Sequence, residues 1–392
     1  METQLPGTAT PAAHIVSPSP RPRSENRVRD EADSRADMRA ELDTLLATLI
    51  ARGGSDLHLT VNQAPTVRIN GDMQQLPDYP PLTAEQTEGL IRSIITPDQW
   101  VEFQQTLEYD LAYDVPGLSR FRVNLFQQRG AYGTVMRAIP HEIKPLHELG
   151  IPEQISRFAY LPRGLVLVTG PTGSGKTTTL ASLLDLANRT RQDHIVTIED
   201  PIEFLHEHKR CLVNQRELGQ DTHSFSAALK HVLRQDPDII LVGELRDLET
   251  VSTALTAAET GHLVLATLHT QSAAQTIDRV IDIFPPHQQQ EVRAQLSTAL
   301  QGVVTQALVR RKDNKGRTVV CEVMFATAAI RNLIREGKNH QIPSFMQSSG
   351  ADGMLTFDQH LAQRVMENVI SFEQGMELCH FPEEFKRLAG RV

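Results

Sequence analysis

The 392-residue chain has few cysteines: Cys211, Cys321 and Cys379 lie far apart, with no paired spacing. That argues against both a disulfide framework and a cysteine zinc site, and makes buried free thiols the expectation. The chain also lacks any apolar run near the roughly 20 residues that span a bilayer, and its N-terminus lacks the apolar segment of a secretory signal. A soluble, cytoplasmic protein is therefore expected. Positive charge is not in excess either, since 39 Lys and Arg stand against 48 Asp and Glu for a net charge of -9. This balance disfavours a general nucleic-acid-binding surface and favours protein partners. No repeat in the usual period range is visible, which argues against a solenoid. What remains is a globular composition, 40% hydrophobic and 22% charged, long enough for two or three domains.

Against that background stands Gly170-Pro171-Thr172-Gly173-Ser174-Gly175-Lys176-Thr177, a match to the phosphate-binding P-loop pattern. It follows the apolar run Leu165-Val166-Leu167-Val168 and precedes Leu180, Leu183, Leu184 and Ala187 at helical spacing, so strand, loop and helix are all present. Glycines let the backbone form a nest of N–H groups, and the helix adds its positive end to the same place. Lys176 is expected to reach the β- and γ-phosphates of a nucleoside triphosphate, and Thr177 to offer its hydroxyl to Mg²⁺. Thr178 completes the candidate nucleotide-binding set.

Residues 1–37 are rich in Pro, Ser, Thr and Arg and poor in large apolar residues, and they read as a disordered tail. Over 39–52, Leu42, Leu45, Leu46, Leu49 and Ile50 share one helical face that ends at Gly53-Gly54. Period-two alternation over 55–59 and 65–69 with Asn70-Gly71 predicts a hairpin. A helix after Thr83 and strands at 107–114, 119–128 and 133–138 complete a small α+β domain, 38–140. A proline-bearing linker, 141–162, leads to an α/β domain, 163–392. There, strands at 165–169, 194–198, 239–242 and 263–267 alternate with helices, as in a mostly parallel sheet. From about 285 the pattern turns helical, with helices expected over 288–306 and 328–336.

Ligands of open α/β sheets bind at the carboxyl ends of the strands, where several charged residues are expected. Ile198 runs into Glu199-Asp200-Pro201-Ile202-Glu203. These carboxylates either hold Mg²⁺ through water and orient the attacking water, or form a solvated acidic turn. The strand Ile239-Ile240-Leu241-Val242 ends at Gly243-Glu244, with Gly243 where an Asp commonly holds the metal, which makes Glu244 the candidate for polarising water. A carboxylate at the start of the next helix is the other role open to it. His262 and His269 bracket one strand and at about 3.3 Å per residue stand too far apart to share an ion. His269 is placed to sense the γ-phosphate, and His262 to make a subunit contact. Transition-state charge calls for further cations, and Arg120 and Arg122, on one strand face opposite Phe121, join Arg137 as candidates.

These motifs resemble the PilT-type secretion and pilus ATPases, specifically the retraction motors of type IV pili, from about Ala40 to the C-terminus. The match rests on the P-loop, Ile198 to Phe204, Leu241 to Asp247 and Thr260 to Val264. In family terms these are the Walker A, Asp box, Walker B and His box. The resemblance implies the Asp-box role for Glu203 and catalysis by Glu244, with Thr177, Glu203 and Glu244 around Mg²⁺ and His262 and His269 as His-box residues. Arg120, Arg122 and Arg137 become the arginines that approach the nucleotide.

It further implies a PAS-like first domain, a RecA-like second domain, a ring of six subunits and docking on an inner-membrane platform protein. A paralogous motor subunit is a further partner. Ala329-Ile330-Arg331-Asn332-Leu333-Ile334-Arg335-Glu336 matches the motif associated with retraction, with Ile330, Leu333 and Ile334 as its apolar stripe. The cysteine zinc module usual in extension and secretion motors is lacking. An extension or type II secretion motor and a nucleotide-gated accessory subunit are the alternatives.

Overall fold

Residues 23–69, 71–139 and 142–390 are described by a computed structural model, and the chain divides into two units between Ala138 and Ile139. The first opens with helix α1 (Arg23–Ala51), whose Leu42, Leu45, Leu46 and Leu49 are fully buried. The helix starts well before the expected 39, so the segment 23–37 is not a disordered tail. Residues 1–22 lie outside the described residues. Pro22 is the last proline before the helix, and the stretch 23–37 contains neither Pro nor Gly, the two residues that oppose a helix most. Arg35 Nη2 then ties the helix to the Ile95 carbonyl at 2.5 Å.

Strands β1 (Asp56–Leu59), β2 (Thr66–Ile69) and β3 (Asp72–Gln75) follow. The expected hairpin joins β2 to β3 with Ile69 opposite Asp72 and Gly71 at φ +97°, while Asn70 lies outside the described residues. Helices α2 (Ala84–Ile94) and α3 (Pro97–Thr106) each start at a reciprocal cap, Thr83 with Gln86 and Thr96 with Gln99. Strands β4 (Glu108–Val115), β5 (Ser119–Gln128) and β6 (Ala131–Ile139) complete a sheet ordered β3-β2-β1-β6-β5-β4. Its core is built on Phe103, Phe121, Val123, Leu125 and the leucines of α1.

The second unit begins with residues expected to be a free linker. They are not a spacer: Leu146, Ile151, Ile155 and Phe158 are buried in its core, and Arg191 Nη1 donates to the Leu161 carbonyl at 2.6 Å. Then come β7 (Gly164–Thr169), α4 (Lys176–Thr190), β8 (His194–Glu199), β9 (Leu212–Glu217), α5 (Phe225–Val232), β10 (Ile239–Val242), α6 (Leu248–Glu259), β11 (Leu263–Leu268), α7 (Ala273–Asp282) and α8 (Gln289–Ala299). Every residue of β7, β10 and β11 is buried, as strands covered on both faces must be.

After α8 the chain departs from expectation. The helix predicted through 306 stops at Ala299, and residues beyond it form β12 (Leu300–Arg310) and β13 (Arg317–Phe325), so the part beyond 285 is not wholly helical. The apolar residues Leu300, Val303, Val304, Ala307 and Leu308 fall at helical spacing, yet they lie in a strand whose residues Gly302 to Thr305 are all buried, so no period-two signal marks it. β12 pairs parallel with β7 and antiparallel with β13. The sheet order is β13-β12-β7-β11-β10-β8-β9. Helices α9 (Ala328–Arg335), α10 (Ile342–Ser348), α11 (Phe357–Met366), α12 (Phe372–Leu378) and α13 (Pro382–Leu388) close the unit.

Candidate active site

Five neighbouring strands, β12, β7, β11, β10 and β8, bring their chemistry to one edge of this sheet. The loop after β7 uses glycine where no other residue fits: Gly170 has φ +139°, and a Cβ there would lie 2.2 Å from the Gln306 carbonyl oxygen. Gly173, at φ +77°, has nothing within 4 Å of where a Cβ would stand, so the loop is open at its tip. Gly175 (φ +89°) then leads into α4. The Ser174 hydroxyl is buried without a partner among the described residues. An open nest at a helix N-terminus, with an orphaned hydroxyl in its wall, suits a phosphate group.

Lys176 Nζ lies back across the loop, donating to the carbonyls of Gly170 (2.9 Å) and Pro171 (3.2 Å), and stands 3.3 Å from His269 Nδ1. Burial lowers the Lys176 pKa, and the charges of Glu244 and Glu203 offset part of that effect. An ammonium has only protons to give, so His269 accepts at Nδ1 and carries its own proton on Nε2. Nε2 is 3.2 Å from Glu244 Oε1, and Arg246 Nη2 holds Glu244 Oε2 at 2.8 Å. Burial pushes the Glu244 carboxyl up, but the hydrogen bonds from Arg246 and His269 outweigh it and leave the group below the ordinary carboxylate range. Lys176, His269, Glu244 and Arg246 thus form one connected chain from the loop to the end of β10.

Glu244 is not the cap of the next helix, because Asp247 fills that role by accepting from the Thr250 N–H at 2.9 Å. Where an Asp is common, Gly243 lies close against β8: a Cβ there would be 3.2 Å from the Ile198 carbonyl oxygen, a tight contact. The Asp-box carboxylates separate into two kinds. Glu199 is buried and accepts from Thr197 Oγ1 (2.6 Å) and Gln215 Nε2 (3.0 Å), and burial raises its pKa to about 7. Glu203 is half-buried and close enough to act on both Lys176 and Glu199 through its charge. It is the carboxylate of this turn whose charge is felt at the loop lysine.

Other candidates fall elsewhere. His262 precedes β11, where its carbonyl accepts from the Gly164 N–H at the start of β7. It therefore sits at the opposite end of the strands from the P-loop, and within this chain it does not join the nucleotide-binding set. Its ring bonds the Ala257 carbonyl at 3.0 Å. The three arginines belong to the first unit. Arg120 pairs with Asp114 (2.8 Å) and Arg137 with Asp56 (2.8 Å), while Arg122 is exposed; Arg120 and Arg122 flank the fully buried Phe121 as the alternation requires.

Two site residues carry no local signal. Gln306, expected at the end of a helix, lies on β12 and bonds the loop; Gln215, on the unforeseen strand β9, donates to Glu199 and to the Phe204 carbonyl (2.8 Å). Only their pairing partners reveal them. Among the described residues no three His, Cys, Asp or Glu side chains form a metal cluster of their own. Mg²⁺ in phosphoryl-transfer sites usually takes one or two protein ligands, and the rest from phosphate and water. The half-buried Thr177 and Glu203 beside the loop fit that ion. Among the described residues no helix is long and apolar enough to cross a membrane.

The sequence profile of the type II/IV secretion system protein family matches residues 118–377. The type IV pilus retraction ATPase PilT of Pseudomonas aeruginosa is 52% identical over 334 residues, covering 85% of this chain and 96% of that protein. A twitching motility protein of Neisseria gonorrhoeae is 48% identical, covering 79% and 82%. The type IV pilus ATPase PilU of Pseudomonas aeruginosa is 41% identical, covering 84% and 86%. The crystal structure of the pilus retraction motor PilT with bound ADP superposes with a TM-score of 0.82 at 46% identity, over 87% of this chain and 97% of that one. The fold is therefore the expected one, a RecA-like α/β unit after a small PAS-like α+β unit and with helices at its C-terminal end. The chain belongs to the type II/IV secretion system protein family and, within it, to the PilT-type ATPases.

Proposed function

We propose that this chain is an ATP-hydrolysing motor that powers retraction of type IV pili as a ring of six copies. The observation that carries the reading is the connected chain from Lys176 through His269 to Glu244 beside an open P-loop. The kinship with PilT supports its direction. The backbone N–H groups of Thr172, Gly173 and Gly175 to Thr177, with the side chains of Lys176 and Thr178, take the β- and γ-phosphates of ATP. Glu244, kept ionised at neutral pH by Arg246 and His269, accepts a hydrogen bond from the attacking water and orients it. His269 links that carboxylate to Lys176, so movement of the lysine toward phosphate frees Nδ1 and is felt at Glu244. Mg²⁺, held by Thr177 and, partly through water, by Glu203 and Glu244, would supply charge neutralisation at the phosphates. Arg120, Arg122 and Arg137 are the proposed further cations, and His262 a subunit contact. The working place is the cytoplasmic face of the inner membrane, docked on a platform protein, with a paralogous motor subunit as a second partner. No role in binding nucleic acid is proposed.

The test is complementation in a type IV piliated strain that lacks its own retraction motor. The chain restores twitching and shortening of pili, while Glu244→Gln does not. Restored pilus extension in an extension-deficient strain, with no effect on retraction, would contradict the direction assigned.

A further inference from the structure

The P-loop is held from one side by a residue outside every motif named above. Gln306, in β12, donates from Nε2 to the Ser174 carbonyl at 2.7 Å and accepts at Oε1 from the Thr179 hydroxyl at 2.8 Å. It is 2% exposed, so neither half of the amide has water as a substitute partner. One side chain thus spans the loop and the first turn of α4. Its backbone is equally close: the Gln306 carbonyl oxygen occupies the space a Cβ on Gly170 would need, and Nε2 would stand 3.2 Å from a Cβ on Gly175. Next to it, Thr305 Oγ1 bonds Thr169 Oγ1 at 2.8 Å, the last residue of β7 before the loop.

The bond to Ser174 has a directional consequence. A trans peptide unit is planar, with its C=O and N–H pointing to opposite sides. Fixing the Ser174 carbonyl on Gln306 therefore turns the Gly175 N–H away from β12, toward the open side of the loop. An N–H aimed by covalent geometry binds an anion without first losing backbone freedom.

We propose that Gln306 is the positioning residue of the P-loop, whose amide sets the Ser174–Gly175 peptide for phosphate binding. This rests on the nucleotide-binding reading above and deepens it. Oxygen alone at this position satisfies Thr179 but meets the Ser174 carbonyl with a second acceptor, so the N–H₂ group is what selects glutamine.

The experiment is titration of the full chain with ADP and Mg²⁺, comparing wild type, Gln306→Met and Gln306→Glu from pH 8 to pH 6. Gln306→Met matches the shape and makes neither bond, and its Kd for ADP rises about tenfold, the usual weight of a buried hydrogen bond. Gln306→Glu is weaker still at pH 8, where its carboxylate repels the Ser174 carbonyl. It recovers toward wild type as pH falls and the neutral acid gains an O–H to donate. Wild type and Gln306→Met over the same series account for protonation of ADP, His269, Lys176 and Glu244. A merely structural glutamine predicts no such recovery. If wild type binds ADP and Gln306→Met binds it equally well, or Gln306→Glu keeps a constant deficit across the series, the inference is overturned alone. A wild-type chain that binds no ADP overturns it together with the nucleotide-binding reading. Should Gln306→Met fail to fold, the pH series on Gln306→Glu decides.

Discussion

Nε2 of His269 lies 3.2 Å from Oε1 of Glu244, which makes the histidine the link between that carboxylate and the P-loop lysine on its other nitrogen. Without the ring, Glu244 keeps Arg246 but loses one of the two partners that hold it ionised and aimed. His269→Ala is expected to lower kcat about tenfold to a hundredfold, the scale of a misplaced general base, with KM for ATP changed by less than about threefold. Steady-state ATPase kinetics check this. A rise in KM at unchanged kcat would place His269 in ground-state binding instead.

Glu199 predicts a pH dependence of stability. Burial holds its pKa at about 7 in the fold, against 4.5 for the ordinary side chain. The folded chain therefore binds the proton more tightly than the unfolded one, and stability falls as pH rises through the window from about 4.5 to 7. At 1.36 kcal/mol per pKa unit the loss is about 3 kcal/mol at most. Glu199→Gln keeps an oxygen for Thr197 and Gln215, and its melting temperature should exceed that of wild type at pH 8 and match it near pH 5. Thermal unfolding at both pH values measures the difference; an equal shift at the two would show that Glu199 is not protonated by burial.

Arg331, in the segment 329–336, acts mainly inward. Its guanidinium donates to the carbonyls of Ser297 (2.8 Å) and Thr298 (2.6 Å), at the C-terminal end of α8, and to that of Ala326 (2.8 Å), while Arg335 is exposed. Arg331→Ala should destabilise the chain by roughly 1–3 kcal/mol, since three carbonyls, two of them in part-buried bonds, lose a charged donor. Arg331→Lys recovers little, because an ammonium lacks the planar fork. Arg335→Ala should cost less than about 0.5 kcal/mol. Chemical denaturation compares them, and a retraction defect in a stable Arg335→Ala chain would assign the exposed residue to function.

The sequence marked the P-loop and the strands β7, β8, β10 and β11 because glycines at fixed spacing and short runs of apolar residues are local signals. It marked Glu203, Glu244 and His269 because each follows a strand end. It did not show Gln306 or Gln215, whose roles lie in pairing between distant strands. Three expectations failed for physical reasons. Strand β12 carries apolar residues at helical spacing because several of its positions are buried on both faces. The prolines at 145 and 152 suggested a linker, yet Ile155 and Phe158 beside them fill the second core. The stretch 23–37 belongs to helix α1, and its residues 33–37 are exposed, so they show none of the apolar face that marks the helix further along.

The central claim is hydrolysis by Glu244 at a site built on Lys176. Its most direct test is Mg²⁺-dependent ATPase activity of the purified chain beside Lys176→Ala and Glu244→Gln, with oligomer mass recorded in the same samples. The account predicts turnover by wild type, its loss in both variants by at least about a hundredfold, and a six-copy assembly in the active sample. A Glu244→Gln chain that hydrolyses ATP at the wild-type rate, or a wild-type assembly that binds ATP without turning it over, would contradict it.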